Sequence, residues 1–98
     1  MSKYVIINRY PAFAKWVKRE GIVDESTPWI TTATPTDVFG KHVVGTIPIY
    51  LGVLAETVTE YPVIVPPKMR HKKLKLTVDE IAKYVREPVT YRVEVVER

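Results

Sequence analysis

Four apolar side chains in a row, Tyr4, Val5, Ile6 and Ile7, constrain this chain more than any other feature of it. Successive side chains of a strand point to opposite faces. A continuous apolar run must therefore be covered on both sides, as in a parallel sheet with helices above and below. The run predicts a short buried strand over Lys3–Asn8. Arg9 and Tyr10 follow, and then Pro11, at a position where the first turn of a helix tolerates proline. Ala12, Phe13, Trp16 and Val17 form the apolar stripe of that helix. Lys15, Lys18 and Arg19 lie on its wet side or in its last turn, where cations complement the dipole. Gly21 is a natural stop. The first unit is thus strand, tight loop, helix.

The remainder continues the alternation. Trp29–Thr34 favours an extended conformation, and Pro35, Asp37 and Gly40 punctuate a loop. His42–Val44 reads as a very short strand ending in Gly45-Thr46. Ile49, Leu51, Val53, Leu54 and Ala55 read as a largely buried helix opened by Thr46 and Pro48. Val63–Val65 is a further apolar strand, stopped by Pro66-Pro67. Thr77-Val78-Asp79-Glu80 has the capping-box pattern, so a helix starts there and carries Val78, Ile81 and Val85 until Pro88 breaks it. Val89, Tyr91, Val93 and Val95 then alternate along a final strand, Val89–Val96. The order β-α-β-β-α-β-α-β predicts an α/β fold: a mostly parallel sheet with helices on both faces, in one domain spanning residues 1–98.

Composition narrows the function. Ninety-eight residues suffice for one domain with a modest core. The absence of cysteine excludes a disulfide framework, a thiolate metal site and a cysteine nucleophile. No apolar run approaches the roughly 20 residues that span a bilayer, and residues 1–10 carry charge too early for a secretory signal. A soluble, cytoplasmic protein is the expectation. The net charge of +4 is mildly basic. It is concentrated in Lys68–Lys75, where Lys68, Arg70, Lys72, Lys73 and Lys75 form a local positive patch. That patch fits an anionic partner such as a nucleotide, and equally a solvated loop.

In open α/β sheets, ligands bind beyond the C-terminal ends of the strands, where helices start. Two stretches meet that description: Asn8-Arg9-Tyr10 after the first strand, and Gly45-Thr46 after the third. Arg9 offers a bidentate phosphate clamp. Gly45 would let a ligand approach the backbone, Thr46 offers a hydroxyl, and helix N-termini favour anions. The structural alternative is that Gly45 is a turn, Thr46 a helix cap and Arg9 a surface residue. His42 and His71 lie in different segments, and the acidic residues are scattered. No metal site and no cofactor are expected. Such an inventory argues against a triad or metal hydrolase. It leaves RNA self-cleavage, in which the substrate's own 2′-hydroxyl attacks the adjacent phosphorus and the protein supplies positioning and charge.

These residues resemble the sixteenth Csx family of CRISPR-associated proteins, small stand-alone ring nucleases of type III systems. That family opens with a strand, an Arg-His-Pro-Gly motif and a helix carrying Trp; here the stretch is Arg9-Tyr10-Pro11-Ala12 with Trp16. Its central Gly-Thr-Leu-Pro is matched by Gly45-Thr46-Ile47-Pro48 after Val43-Val44. Its later proline, loop arginine and Leu-Thr are matched by Pro67, Arg70 and Leu76-Thr77. The resemblance implies a small Rossmann-like, CARF-like fold. It also implies a homodimer holding cyclic tetra-adenylate across its dyad, and metal-independent cleavage to linear products ending in a 2′,3′-cyclic phosphate. It implies Arg9, Tyr10 and Thr46 as catalytic residues, and Asn8, Gly45, Ile47, Lys68, Arg70 and Lys72 as ligand-binding residues, with Lys68–Lys75 as a lid or steering patch. Tyr10 and Ala12 depart from the family's histidine and glycine, and tyrosine as a residue type is a poor base near neutrality. A non-catalytic sensor or sponge for the same ring is therefore the principal alternative. Binding of linear RNA through the basic segment, and an accessory role in a larger complex, rank lower. Stable binding of duplex nucleic acid is not expected.

Overall fold

A computed structural model describes residues 3–97. The chain forms β1 (Tyr4–Ile7), α1 (Pro11–Arg19), β2 (Trp29–Ile30), α2 (Pro35–Val38), β3 (His42–Gly45), α3 (Ile49–Gly52), β4 (Thr57–Glu60), a 3-10 segment (Pro67–Lys75), α4 (Val78–Tyr84) and β5 (Val89–Tyr91). The five strands make one sheet in the order β2-β1-β3-β4-β5. The first four run parallel, and β5 closes the sheet as an antiparallel edge. The expected α/β fold, with a mostly parallel sheet between helices, is what the chain adopts.

The apolar run does what its pattern requires. Val5 and Ile7 face one side of the sheet with Val43, Val38 and Leu51; Ile6 faces the other with Val44, Phe13, Trp16, Val17 and Ile81. The two faces are unequal. One is covered by α1 and α4, with Phe13, Trp16 and Tyr61 packed as an aromatic cluster with ring centroids 5.5–6.3 Å apart. Burial there holds the Tyr61 phenol above its ordinary pKa. The other face is covered by α2 and α3, of four residues each.

Helix α1 ends as its sequence indicates: Lys18 and Arg19 occupy the last turn and Gly21 follows at φ +71°. Helix α4 carries the complete capping box, with the Thr77 side chain accepting from the Glu80 amide at 3.1 Å and Glu80 accepting from the Thr77 amide at 3.0 Å.

Several local expectations are corrected. Residues 35–38 are not loop but a helical turn, because Thr34 and Asp37 form a second capping box. The Asp37 carboxylate accepts from the Thr34 amide and hydroxyl, each at 2.8 Å, and these bonds lower its pKa. β2 is only Trp29–Ile30. The buried helix expected over 49–55 is the single turn Ile49–Gly52, and Ile49 and Tyr50 are 77% and 72% exposed.

Val63–Val65 is not a strand: Val63 makes one isolated bridge to Val85, and Val65 is buried against the α1 side of the core. The fourth strand is instead Thr57–Glu60, whose Thr57, Val58 and Thr59 register with His42, Val43 and Val44. α4 stops at Tyr84, ahead of Pro88, because Tyr84 C=O accepts from the Ile64 amide and the Arg86 amide donates to Pro62. β5 ends at Tyr91, where its pairing with Val58–Glu60 of β4 stops.

The basic segment is a 3-10 stretch rather than an open loop. Met69 packs against the core and its Sδ accepts from the Tyr84 hydroxyl at 3.2 Å.

Candidate functional site

The strand order places β1 between β2 and β3. The chain leaves β1 for α1, on one face of the sheet, and leaves β3 for α3, on the other. Connections that diverge in this way open a crevice beyond the C-terminal ends of the two strands. Here the crevice is a cleft of about 580 Å³. Three turns wall it: Asn8-Arg9-Tyr10 after β1, Thr31-Thr32-Ala33 after β2, and Thr46-Ile47-Pro48 after β3, with Tyr50 at one side. A smaller hollow of about 300 Å³ adjoins it, sharing Asn8, Tyr10 and Thr46 and reaching Glu60 and Leu76.

The first wall is built by side chains. Asn8 Oδ1 accepts from the Tyr10 amide at 2.8 Å, closing an Asx turn. The Trp29 indole donates to Asn8 C=O at 2.8 Å, and the Asn8 amide donates to Ile30 C=O at 3.2 Å. Asn8 and Trp29 thus fix the turn, and Arg9 at its tip is left exposed in the cleft. Among the described residues the ion pairs are those of Arg19 with Glu20 and Asp79, so Arg9 has no carboxylate partner. Tyr10 is half-buried against the α1 side of the core, in extended conformation at the N-cap of α1. Its carbonyl accepts from Phe13 and Ala14, and Pro11 has no N–H. The Ala12 amide is the one first-turn donor left for an anion.

The third wall is built by the lack of a side chain. Gly45 is buried at φ +135°, and a Cβ there would overlap the carbonyl oxygen of Ile7. Only glycine lets β1 and β3 approach here, and the Thr46 amide donates to that same carbonyl at 3.0 Å. Gly45 therefore lies beneath the cleft rather than lining it; its glycine serves strand packing, not ligand approach. Thr46 is exposed, lines both hollows and caps no helix, since Pro48 is the N-cap of α3. Ile47 lines the cleft and packs on the α3 side of the core. The expected anion site at a helix start after β3 is not formed: a four-residue turn aligns too few peptide dipoles.

The cleft lining carries one cation, no acid and no histidine. It offers a guanidinium, the hydroxyls of Thr31, Thr32 and Thr46, and two phenols. Such a set can pair with and polarise an anionic group, and supplies no imidazole or carboxylate base.

Of the other residues singled out, Lys68 and Arg70 are exposed on the 3-10 segment and line neither hollow; the Lys72 side chain lies outside the described residues. His42 opens β3 at the far end of the sheet, bonded to Thr57 Oγ1 at 2.7 Å and with its ring tilted against Tyr4, centroids 5.1 Å apart. Thr31 and Thr32 are lining residues that sequence reasoning did not single out as ligands; Tyr50, which with Tyr10 could stack on a base, lines the cleft as well. The rule about C-terminal strand ends would have found the threonines had β2 been ended at Ile30.

Among the described residues no three His, Asp or Glu side chains gather as a metal cluster, and no helix is long and apolar enough to cross a membrane. Compared with protein-family models, with curated proteins and with solved structures, the chain matches none.

Proposed function

We propose that this protein is a metal-independent ring nuclease acting on cyclic oligoadenylate, with cyclic tetra-adenylate the preferred ring. The observation that carries the reading is the convergence of the Arg9-Tyr10 turn and Thr46 on one cleft that contains no carboxylate. Those are the residues the family resemblance singles out, and the surrounding chemistry suits a phosphodiester.

In the proposed reaction the Arg9 guanidinium pairs with the non-bridging oxygens of the scissile phosphate, where charge grows in the transition state. The ribose 2′-oxygen bonds to phosphorus as the bond to the 5′-oxygen breaks. The 2′-hydroxyl loses its proton and the departing 5′-oxygen gains one. The products are a 2′,3′-cyclic phosphate and a 5′-hydroxyl. Thr46 and Tyr10 carry the hydroxyls closest in role to that exchange: Thr46 orients the 2′-oxygen and Tyr10 hydrogen-bonds the leaving side.

A cleft near 580 Å³ falls in the range filled by a single drug-sized ligand, about 300–1,000 Å³. A ring of four nucleotides is larger than such a ligand. Two copies related by a dyad would each hold part of one ring, which favours the homodimer.

The lack of histidine and carboxylate in the cleft favours one second reading, a protein that binds the ring and keeps it intact. Incubation with cyclic tetra- and hexa-adenylate in chelator, followed by chromatography, separates the two. Linear fragments are expected; intact ring that remains tightly bound establishes the sponge; no binding overturns both.

A further inference from the structure

Tyr50 is placed oddly for an aromatic side chain. Its neighbour Leu51 is buried in the core and fixes α3 through the Leu51 and Gly52 amides, which donate to Pro48 C=O at 3.0 and 3.1 Å. Pro48 in turn holds the start of the turn at φ −60°. The single turn is thereby rigid, yet it turns Tyr50 outward, 72% exposed, against the cleft that holds Arg9. Among the described residues no ring contact and no hydrogen bond engages its side chain. A large aromatic side chain carried into solvent by a hydrogen-bonded turn, on the same cleft as an unpaired guanidinium, offers a free face to a flat partner.

We infer that Tyr50 is the base-stacking residue of the cleft, taking the purine of the nucleotide whose phosphate Arg9 binds. The inference rests on the reading of the cleft as a nucleotide-ring site and adds the element that reads the base. Arg9 stands on the wall after β1 and recognises charge common to every nucleotide. Tyr50 stands on the wall after β3 and offers a π face, which sugar and phosphate cannot use and a base can. Thr31 and Thr32, on the wall after β2, present exposed hydroxyls that can donate to or accept from the edge of a stacked base. Phosphate and base are thus assigned to separate walls, and the separation can be measured.

The test compares the full chain with Tyr50→Phe, Tyr50→Leu and Arg9→Ala, each first checked for an unchanged circular-dichroism spectrum and melting temperature. Binding of cyclic tetra-adenylate and of adenosine 5′-monophosphate is titrated, and the adenine H2 and H8 resonances are followed. Stacking on an aromatic ring moves those protons upfield. The expected result is an upfield shift in the wild type, retained in Y50F and lost in Y50L. Y50F should bind within about twofold of the wild type and Y50L roughly 5- to 100-fold more weakly, the range for one stacked base. R9A should weaken binding of both ligands.

If Y50L binds both ligands as tightly as the wild type, or keeps the upfield shift, Tyr50 is not the platform, while ring binding by the wild type leaves the proposed function standing. If the monophosphate binds with a Tyr50-dependent shift and the ring does not bind, the ring reading fails and the base platform survives. If neither ligand binds the wild type, both are overturned.

Discussion

The turns that follow β1 and β3 are neighbours in the sheet and opposites in construction. The first is held by added bonds: Asn8 to the Tyr10 amide, Trp29 to Asn8, Asn8 to Ile30. It feeds a nine-residue helix that buries Phe13, Trp16 and Val17. The second is held by subtraction: Gly45 has no Cβ, Pro48 has no N–H, and the chain makes only one helical turn before leaving. The first turn can spend its exposed residue, Arg9, on a ligand because Asn8 already satisfies the backbone. The second exposes Thr46 and Tyr50 because α3 is too short to carry them into the core. One cleft thus has a charged wall on a turn fixed by side-chain hydrogen bonds and an aromatic wall on a turn fixed by backbone geometry.

The sharpest way to break this contrast is Gly45→Ala. A methyl group would meet the Ile7 carbonyl, and a non-glycine residue at φ +135° is strained as well. Strand separation is the only relief, so the cost should reach about 3–5 kcal/mol, the scale reserved for single changes with a named steric cause. Urea unfolding measures it; a midpoint near the wild type's would mean that β1 and β3 do not depend on this glycine.

Arg9→Ala should do the reverse. With no carboxylate partner to orphan, stability should stay within about 0.5 kcal/mol. Ring affinity should fall roughly 10- to 150-fold, the value of a charged hydrogen bond of about 1.5–3 kcal/mol. Equal affinity by calorimetry would remove Arg9 from the site.

Asn8→Ala lies between the two. It leaves the Tyr10 amide without its acceptor, at a cost of about 1–2 kcal/mol. It should also weaken ring binding by loosening Arg9; Asn8→Asp should restore stability, because a carboxylate oxygen can accept the same bond, but not affinity, because it places a negative charge beside Arg9 in the cleft. Stability and affinity that fail to move together in Asn8→Ala would separate the turn's fold from its function.

The unequal construction also decides what could be read in advance. The β1–α1 unit was legible because each device in it is local: an apolar run, a proline at the first helical position, a glycine at the last. The same holds for the capping box at Thr77. What escaped was decided by partners distant in sequence. Val63–Val65 is more apolar than Thr57–Glu60, but it is flanked by Pro62 and Pro66, and it is the threonines that lie in register with β3. The alternation from Val89 runs on to Val96, yet pairing with β4 stops at Tyr91.

In the site, Arg9, Tyr10 and Thr46 were legible as strand-end residues. Gly45 was named for the wrong neighbour, a ligand in place of the Ile7 carbonyl. Tyr50 is legible as an aromatic that could stack on a base, but its exposure is not, because the stretch 49–55 reads as a buried helix until its first turn proves to be its last. Lys68 and Arg70 show the limit of charge as evidence, since a basic run fixes neither the direction nor the distance of its side chains.

The smallest effect tests the thinly built side of the sheet. Asp37 accepts from the Thr34 amide first and from its hydroxyl second, and both bonds favour the ionised carboxylate, lowering its pKa below the ordinary 3.8. A depressed folded pKa means that the unfolded chain binds the proton more readily. The stabilisation is therefore complete above pH 3.8 and is lost as the pH falls through the lower, folded value. Asp37→Asn keeps an acceptor but has no proton to gain, so its stability should decline less between pH 5 and pH 2.5 than the wild type's. Because the carboxylate is in solvent, the difference should be small and should shrink further in high salt, where the nearby Lys41 charge is screened. Parallel acid profiles for the two proteins would mean that α2 forms without its capping box and is held by Val38 alone. This face of the sheet would then owe its covering to burial, as the α1 face does, and the difference between the two would be one of helix length only.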